Sequence, residues 1–246
     1  MKRVIGLDRE LKLRWLDISA GLAEVERDKI ALRSKLMEAL TPDIPAHFVR
    51  VKTCTVLIRT WLTVLPNHVS LRDRGFELLK AASPDQRLAV HWGMLLLAYP
   101  FFQEIVALIG RTEATQEAIS RGQISRKMIE SWGDRTTVKR SILRVFQSLT
   151  TWGVLLANGS DETFNFSLTQ KITHSELARW LVELTLLARG VETPASSLLQ
   201  APENFPFRLN LSLNALIRSG RFSTYREGQE TLIGLLPTPI EREPQP

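Results

Sequence analysis

Seven basic side chains fall between Arg121 and Arg144 (Arg121, Arg126, Lys127, Arg135, Lys139, Arg140, Arg144), against two acidic ones, Glu130 and Asp134. Guanidinium and ammonium groups at that density meet phosphate oxygens, provided that a regular element holds them on one face. The element is legible in the spacing. Val138, Ile142, Val145, Leu149 and Trp152 recur at intervals of four, three, four and three, one apolar stripe of a helix. The other side carries Thr137, Arg140, Ser141, Arg144, Gln147 and Ser148, with Arg135 and Lys139 nearby. An amphipathic helix with that outer face reaches phosphates and base edges in a major groove. The plain alternative is a solvated basic helix in an all-helical protein.

What flanks this helix narrows the choice. Asp134 or Thr136 is positioned to cap its start, and Gly153 to end it with a positive φ. Before it, Ile124–Trp132 reads as a shorter helix carrying Arg126 and Lys127 at its start, closed by a tight Trp132-Gly133-Asp134 turn. After it, Val154–Ala157 and Thr163–Leu168 alternate as two strands of a hairpin, with Phe164 and Phe166 inward. The intervening Asn158-Gly159-Ser160-Asp161-Glu162 is a tip of suitable length but acidic, so contact with phosphates falls to the helix.

That order resembles the winged helix-turn-helix domains of bacterial DNA-binding proteins over Ile124–Leu168. The resemblance implies double-stranded DNA as partner, with Arg126, Lys127, Arg135, Thr137, Lys139, Arg140, Ser141, Arg144, Gln147 and Ser148 as the contacting residues. Phe101 to about Ser120 becomes the first helix of the winged unit, Gln123-Ile124 its first strand, and Ser125 the cap of its second helix. The whole layout is similar to BrxA-type accessory proteins of BREX phage-defence systems, through the Trp-Gly/Thr-rich turn before a basic helix ending Trp152-Gly153-Val154-Leu155. That family implies non-catalytic duplex binding beside other proteins of a bacterial defence complex. Winged helices also dock proteins, so a scaffold that binds a partner through this unit is the alternative.

The rest of the chain sets the frame. It has 246 residues, a net charge of +6, 44% hydrophobic and 24% charged residues, and a pI near 9.8. Those values describe a globular protein with ample core and acidic partners. The expected fold is mainly α. A helical N-terminal domain occupies residues 1–99, the winged centre with its small hairpin 100–172, a mixed α/β C-terminal region 173–236, and a proline-rich disordered tail 237–246. Apolar stripes place helices over Leu11–Leu22 (Leu11, Trp15, Ile18, Leu22), around Ile30–Leu40 and through Phe48, Val51, Thr55, Ile58 and Leu62. A further helix covers Val69–Ala82, and one starts at Ser83-Pro84 and runs to Tyr99, where Pro100 interrupts it. Thr173 and Glu176 form a capping box for a helix to Arg189. Pro194–Leu199 is a helical turn, and Phe207–Leu211 and Arg221–Arg226 are strands around a helix at Ser212–Arg218.

Catalytic chemistry finds no foothold in the sequence. It holds no Gly-x-Gly or Gly-Lys-Ser/Thr phosphate loop and no Gly-x-Ser-x-Gly elbow, and His47, His68, His91 and His174 stand apart. Neither enzyme activity, cofactor nor metal is expected. Cys54, the only cysteine, reads as a buried apolar group. The apolar run Trp92–Phe102, about eleven residues, is short of the roughly 20 a membrane span needs. It reads as a core helix, and the location as cytoplasmic, with no membrane partner. The oligomeric state stays open.

Overall fold

A computed structural model describes residues 5–159, 162–167 and 169–236. Ser160 and Asp161 of the expected acidic tip, Leu168, and the proline-rich tail from Pro237 lie outside the described residues. The fold is mainly α, with a mixed α/β C-terminal region. Six helices come first: α1 (Leu13–Val25), α2 (Lys29–Ala39), α3 (His47–Trp61), α4 (Val69–Ala81), α5 (Arg87–Ala98) and α6 (Pro100–Glu113). Then come β1 (Ala118–Ser120), α7 (Arg121–Trp132), α8 (Thr136–Thr151), β2 (Leu155–Ala157), β3 (Thr163–Phe166) and β4 (Gln170–Ile172). The chain closes with α9 (Ser175–Arg189), β5 (Thr193–Pro194), α10 (Ala195–Leu199), β6 (Phe207–Leu209), α11 (Leu213–Ile217), β7 (Phe222–Glu227) and β8 (Glu230–Leu235).

α5 is the axis of the packing. Every residue from Leu88 to Leu96 is buried, as a helix apolar on all sides must be. Trp92 sits among Phe102 and Phe207 at 5.0 and 5.5 Å between ring centroids, and its indole N–H donates to the Glu203 carbonyl at 2.9 Å. One turn of α9 crosses α5 at Gly93, where a Cβ would stand 2.5 Å from the Trp180 ring and 2.6 Å from Leu184. The absent side chain sets how closely the two helices approach. A single apolar core includes residues from Leu7 to Phe207, and a smaller one beneath the C-terminal sheet gathers Val182, Leu198, Leu216, Phe222 and Ile233.

Three small sheets complete the fold. β1, β3 and β2 pair antiparallel in that spatial order, with Ile119 opposite Phe164 and Leu155 opposite Phe166. β4 runs parallel to β6, and β5, β8 and β7 form an antiparallel sheet whose β7–β8 hairpin turns at Gly228 with φ of 62°.

Several boundaries differ from the sequence expectation, each for a local reason. The strand expected at Gln123-Ile124 lies at Ala118–Ser120, and the helix expected from Ser125 already begins at Arg121. There the Arg121 N–H bonds the Glu162 carbonyl at 2.8 Å, so pairing with β3 fixes the start. α9 is capped by His174, whose Nδ1 accepts from the Leu177 N–H at 3.2 Å, and not by Thr173. The helix expected at Ser83 starts only at Arg87. Leu11 precedes α1 in an extended segment, while Ile30 and Phe48, expected on apolar stripes, are 81% and 68% exposed.

A polar cluster around one buried histidine ties α1 to α5. His91, fully buried, meets Asp17 Oδ1 through Nε2 at 2.8 Å, and Arg87 donates to the same oxygen at 2.9 and 2.6 Å. Burial pushes the His91 pKa down, more than the Asp17 hydrogen bond and charge raise it. The imidazole is therefore neutral, with its proton on Nε2 and a bare Nδ1. Burial alone would raise the Asp17 carboxyl, but the hydrogen bonds and charges of His91 and Arg87 prevail and hold it below its ordinary value. A histidine with a lowered pKa stabilises the fold above its unfolded value, and that stability is lost as pH falls, because the unfolded chain binds the proton first. His68, also lowered by burial, acts in the same direction. Thermal unfolding followed by circular dichroism should show the melting temperature falling as pH drops below about 6.5. His91→Gln, which keeps a donor for Asp17, should flatten that fall, and an unchanged slope would remove His91 as its source.

Candidate nucleic-acid interface

α7, the turn and α8 are fastened from behind by aromatic side chains. Trp132, at the end of α7, packs edge-on to Phe101 of α6 at 5.1 Å and donates its indole N–H to Glu104 at 2.7 Å. Gly133 then takes φ of 83°, a region that side chains disfavour, and its N–H closes α7 on the Ile129 carbonyl at 2.8 Å. Neither Asp134 nor Thr136 caps α8. Its N-cap is Arg135, without a side-chain hydrogen bond, and Asp134 instead pairs with Lys139 at 2.6 Å. The Arg135 guanidinium folds back to the Trp132 carbonyl at 2.8 Å, so it closes the turn.

The apolar stripe on α8 falls where the spacing put it. Val138, Ile142, Val145 and Leu149 are buried, joined by Phe146 against Phe164 of β3 at 5.1 Å. Trp152 seals the far end, its ring 6.3 Å from Trp92 and 6.4 Å from Phe102. Gly153 follows with φ of 71°.

The outer face, however, is open over its first half only. Thr136, Thr137, Lys139 and Arg140 are exposed, as are Arg126, Lys127 and Glu130 on α7 and Arg135 in the turn. Ser141 and Ser148, expected on this face, are buried. For Ser148 the reason is the extended segment before α1, which lies across the second half of α8. Leu11 donates its N–H to Ser148 Oγ at 2.9 Å and accepts from the Trp152 indole at 2.7 Å, and Glu10 accepts from Thr151 at 2.7 Å. Ser148 in turn donates to the Arg144 carbonyl at 2.9 Å. Arg144 and Gln147 are half-buried and hydrogen-bonded to each other at 2.8 Å.

Thus five basic side chains, Arg126, Lys127, Arg135, Lys139 and Arg140, reach solvent against Glu130 and Asp134. Arg126, Lys127 and Arg140 have no carboxylate partner among the described residues. Of the two remaining cations of the segment, Arg144 is half-buried against Gln147, and Arg121 is taken up by Glu162, which anchors β3 to the start of α7. The overlying segment is what sequence reasoning missed. Its signal is slight: Leu7 and Leu11, separated by the three charged residues Asp8, Arg9 and Glu10, are both buried.

Among the described residues, no group of three or more His, Cys, Asp or Glu is placed to hold a metal ion. No described helix is long and apolar enough to cross a membrane. Ser148→Ala leaves the buried Leu11 N–H without its acceptor and should destabilise the fold by about 1–3 kcal/mol, read from denaturant unfolding. Unaltered stability would show that the segment contributes nothing to holding α8. No protein-family model, curated protein or solved structure matches the chain.

Proposed function

We propose that α6–β1–α7–α8–β2–β3 is a winged helix-turn-helix unit that binds double-stranded DNA and catalyses no reaction on it. The observation that carries this reading is the exposed, unpaired trio Arg126, Lys127 and Arg140 on two helices joined by a tight turn. The antiparallel order β1-β3-β2 behind them is the arrangement that a wing requires. In this reading the first half of α8 enters the major groove. Arg140 and Thr137 approach base edges, where an arginine fork fits the two acceptors of guanine. Arg126 and Lys127 meet phosphates beside the groove. Lys139 is shared between Asp134 and the backbone of the duplex, and Arg135 holds the turn that aims the helix. Arg144 and Gln147, one and two turns beyond Arg140, stand at the edge of the face.

In the setting implied by the resemblance to BrxA-type accessory proteins, this binding serves a bacterial phage-defence complex. A protein-docking role for the same unit draws on Leu156, an apolar side chain left 51% exposed on β2. The two readings differ in what salt does. Anisotropy of a fluorescent random-sequence duplex across a salt series should show log affinity falling linearly with log salt. Combined Arg126→Ala, Lys127→Ala and Arg140→Ala should weaken binding and make the slope shallower by about 1.8, at about 0.9 for each of the two phosphate contacts. All three side chains are exposed, so the fold should survive. No binding at low salt, or an unchanged slope in the triple variant, would end the DNA reading of this face.

A further inference from the structure

Away from α7 and α8, four arginines from four segments converge on a recess of about 460 Å³. Arg74 comes from α4, Arg179 from α9, Arg218 from the end of α11, and Arg221 from the start of the β7 strand region. Asn214 and Ser219 add neutral donors to the same wall. Two glutamates answer the four cations. Glu183 pairs with Arg74 and stands 3.7 Å from Arg221, and Glu176 pairs with Arg179 at the rim. Arg218 has no carboxylate partner among the described residues, and Arg74 Nε is buried without an acceptor.

The chemistry of this wall selects its ligand. Ala215 is the one apolar residue among the described residues that line the recess, so no aromatic ring is offered to a base and no large apolar side chain to a lipid tail. The volume is that of a small-molecule site, while the lining is that of an anion site. Guanidinium forks bind phosphate oxygens in pairs, with geometry that an ammonium lacks. A phosphodiester inside a duplex carries one charge and is flanked on both sides by sugars, so its oxygens cannot enter a recess. A terminal phosphate can enter, and its second charge suits an excess of cations. The Glu176–Arg179 pair is exposed at its carboxylate and contributes little to stability, so a dianion can take Arg179 from it.

We infer that the recess between α4, α9, α11 and β7 binds a terminal phosphate or diphosphate group, carried by a small molecule or by a nucleic-acid end. None of its residues belongs to α7 or α8, so the inference stands apart from the duplex-binding reading. The test is calorimetric titration of the full chain with inorganic pyrophosphate at low ionic strength. Saturable binding at one site is expected, weakened about tenfold or more by combined Arg179→Ala and Arg218→Ala. Ala215→Glu, which adds a carboxylate to the wall without removing a side chain, should weaken it as well. The Arg126/Lys127/Arg140 triple variant should leave pyrophosphate binding unchanged. Displacement by a nucleoside triphosphate supports a small-molecule source, and displacement by a 5′-phosphorylated oligonucleotide but not its 5′-hydroxyl form supports a nucleic-acid end. Absence of saturable binding would overturn the inference, as would affinity indifferent to the recess variants. Equal displacement by 5′-hydroxyl DNA would do the same, since that ligand offers only diesters.

Discussion

A backbone N–H taken out of water needs an acceptor, and Leu11 finds one on Ser148 in the last turn of α8. That bond, with the Trp152 indole on the Leu11 carbonyl, lays the segment before α1 across half of a helix that its own sequence would leave open. The consequence reaches the function. With Ser148 buried and Arg144 and Gln147 half-buried, α8 is most open over its first turns, with the turn at Gly133 and the outer face of α7 beside them. The Trp132–Glu104 bond and the Phe101–Trp132 contact hold that exposed corner to α6. The corner is thus a rigid projection on a buried frame, the form in which a helix enters a groove with little ordering left to do.

Charge is distributed in keeping with this division. Elsewhere several arginines are matched to carboxylates, among them Arg14 to Asp43 at 2.7 Å, Arg189 to Glu203 at 2.6 Å and Arg208 to Glu113 at 2.7 Å. Several of these pairs join segments distant in the chain and stabilise the fold. Arg126, Lys127 and Arg140 join nothing. Cations left unmatched in that way add no stability to the folded chain, and their field is available to an anionic partner. The arginine recess formed by α4, α9, α11 and β7 is another place where cations outnumber their carboxylate partners.

How much of this was legible in the sequence depended on how local the cause was. The apolar stripe of α8, the Gly133 and Gly153 positions and the strand alternation around Phe164 follow from period and backbone chemistry within a few residues, and they stand where the spacing put them. The mainly α class follows in the same way. Ser141 and Ser148 did not, because a small hydroxyl is compatible with either face, and the segment that buries Ser148 lies 137 residues away. The parallel pairing of β4 with β6, three residues each, was hidden for a similar reason: such short strands carry no periodicity of their own. His174 as the cap of α9 escaped notice because histidine takes that position far less often than the threonine beside it. Ile30 and Phe48 misled in the opposite direction, since apolar residues at helical spacing need not all face the core.

The central claim is that one corner of the molecule, Arg126 to Arg140, meets DNA, while the second half of α8 is closed by the chain's own N-terminal segment. Hydrogen–deuterium exchange with and without a saturating duplex tests both parts together. Slowed exchange is predicted at the start of α8, in the Gly133 turn and along α7, with Arg144 to Thr151 unchanged because the segment before α1 already occupies that half of the helix. Slowing centred on Arg144 to Thr151, or confined to elements outside α7 and α8, would contradict the account.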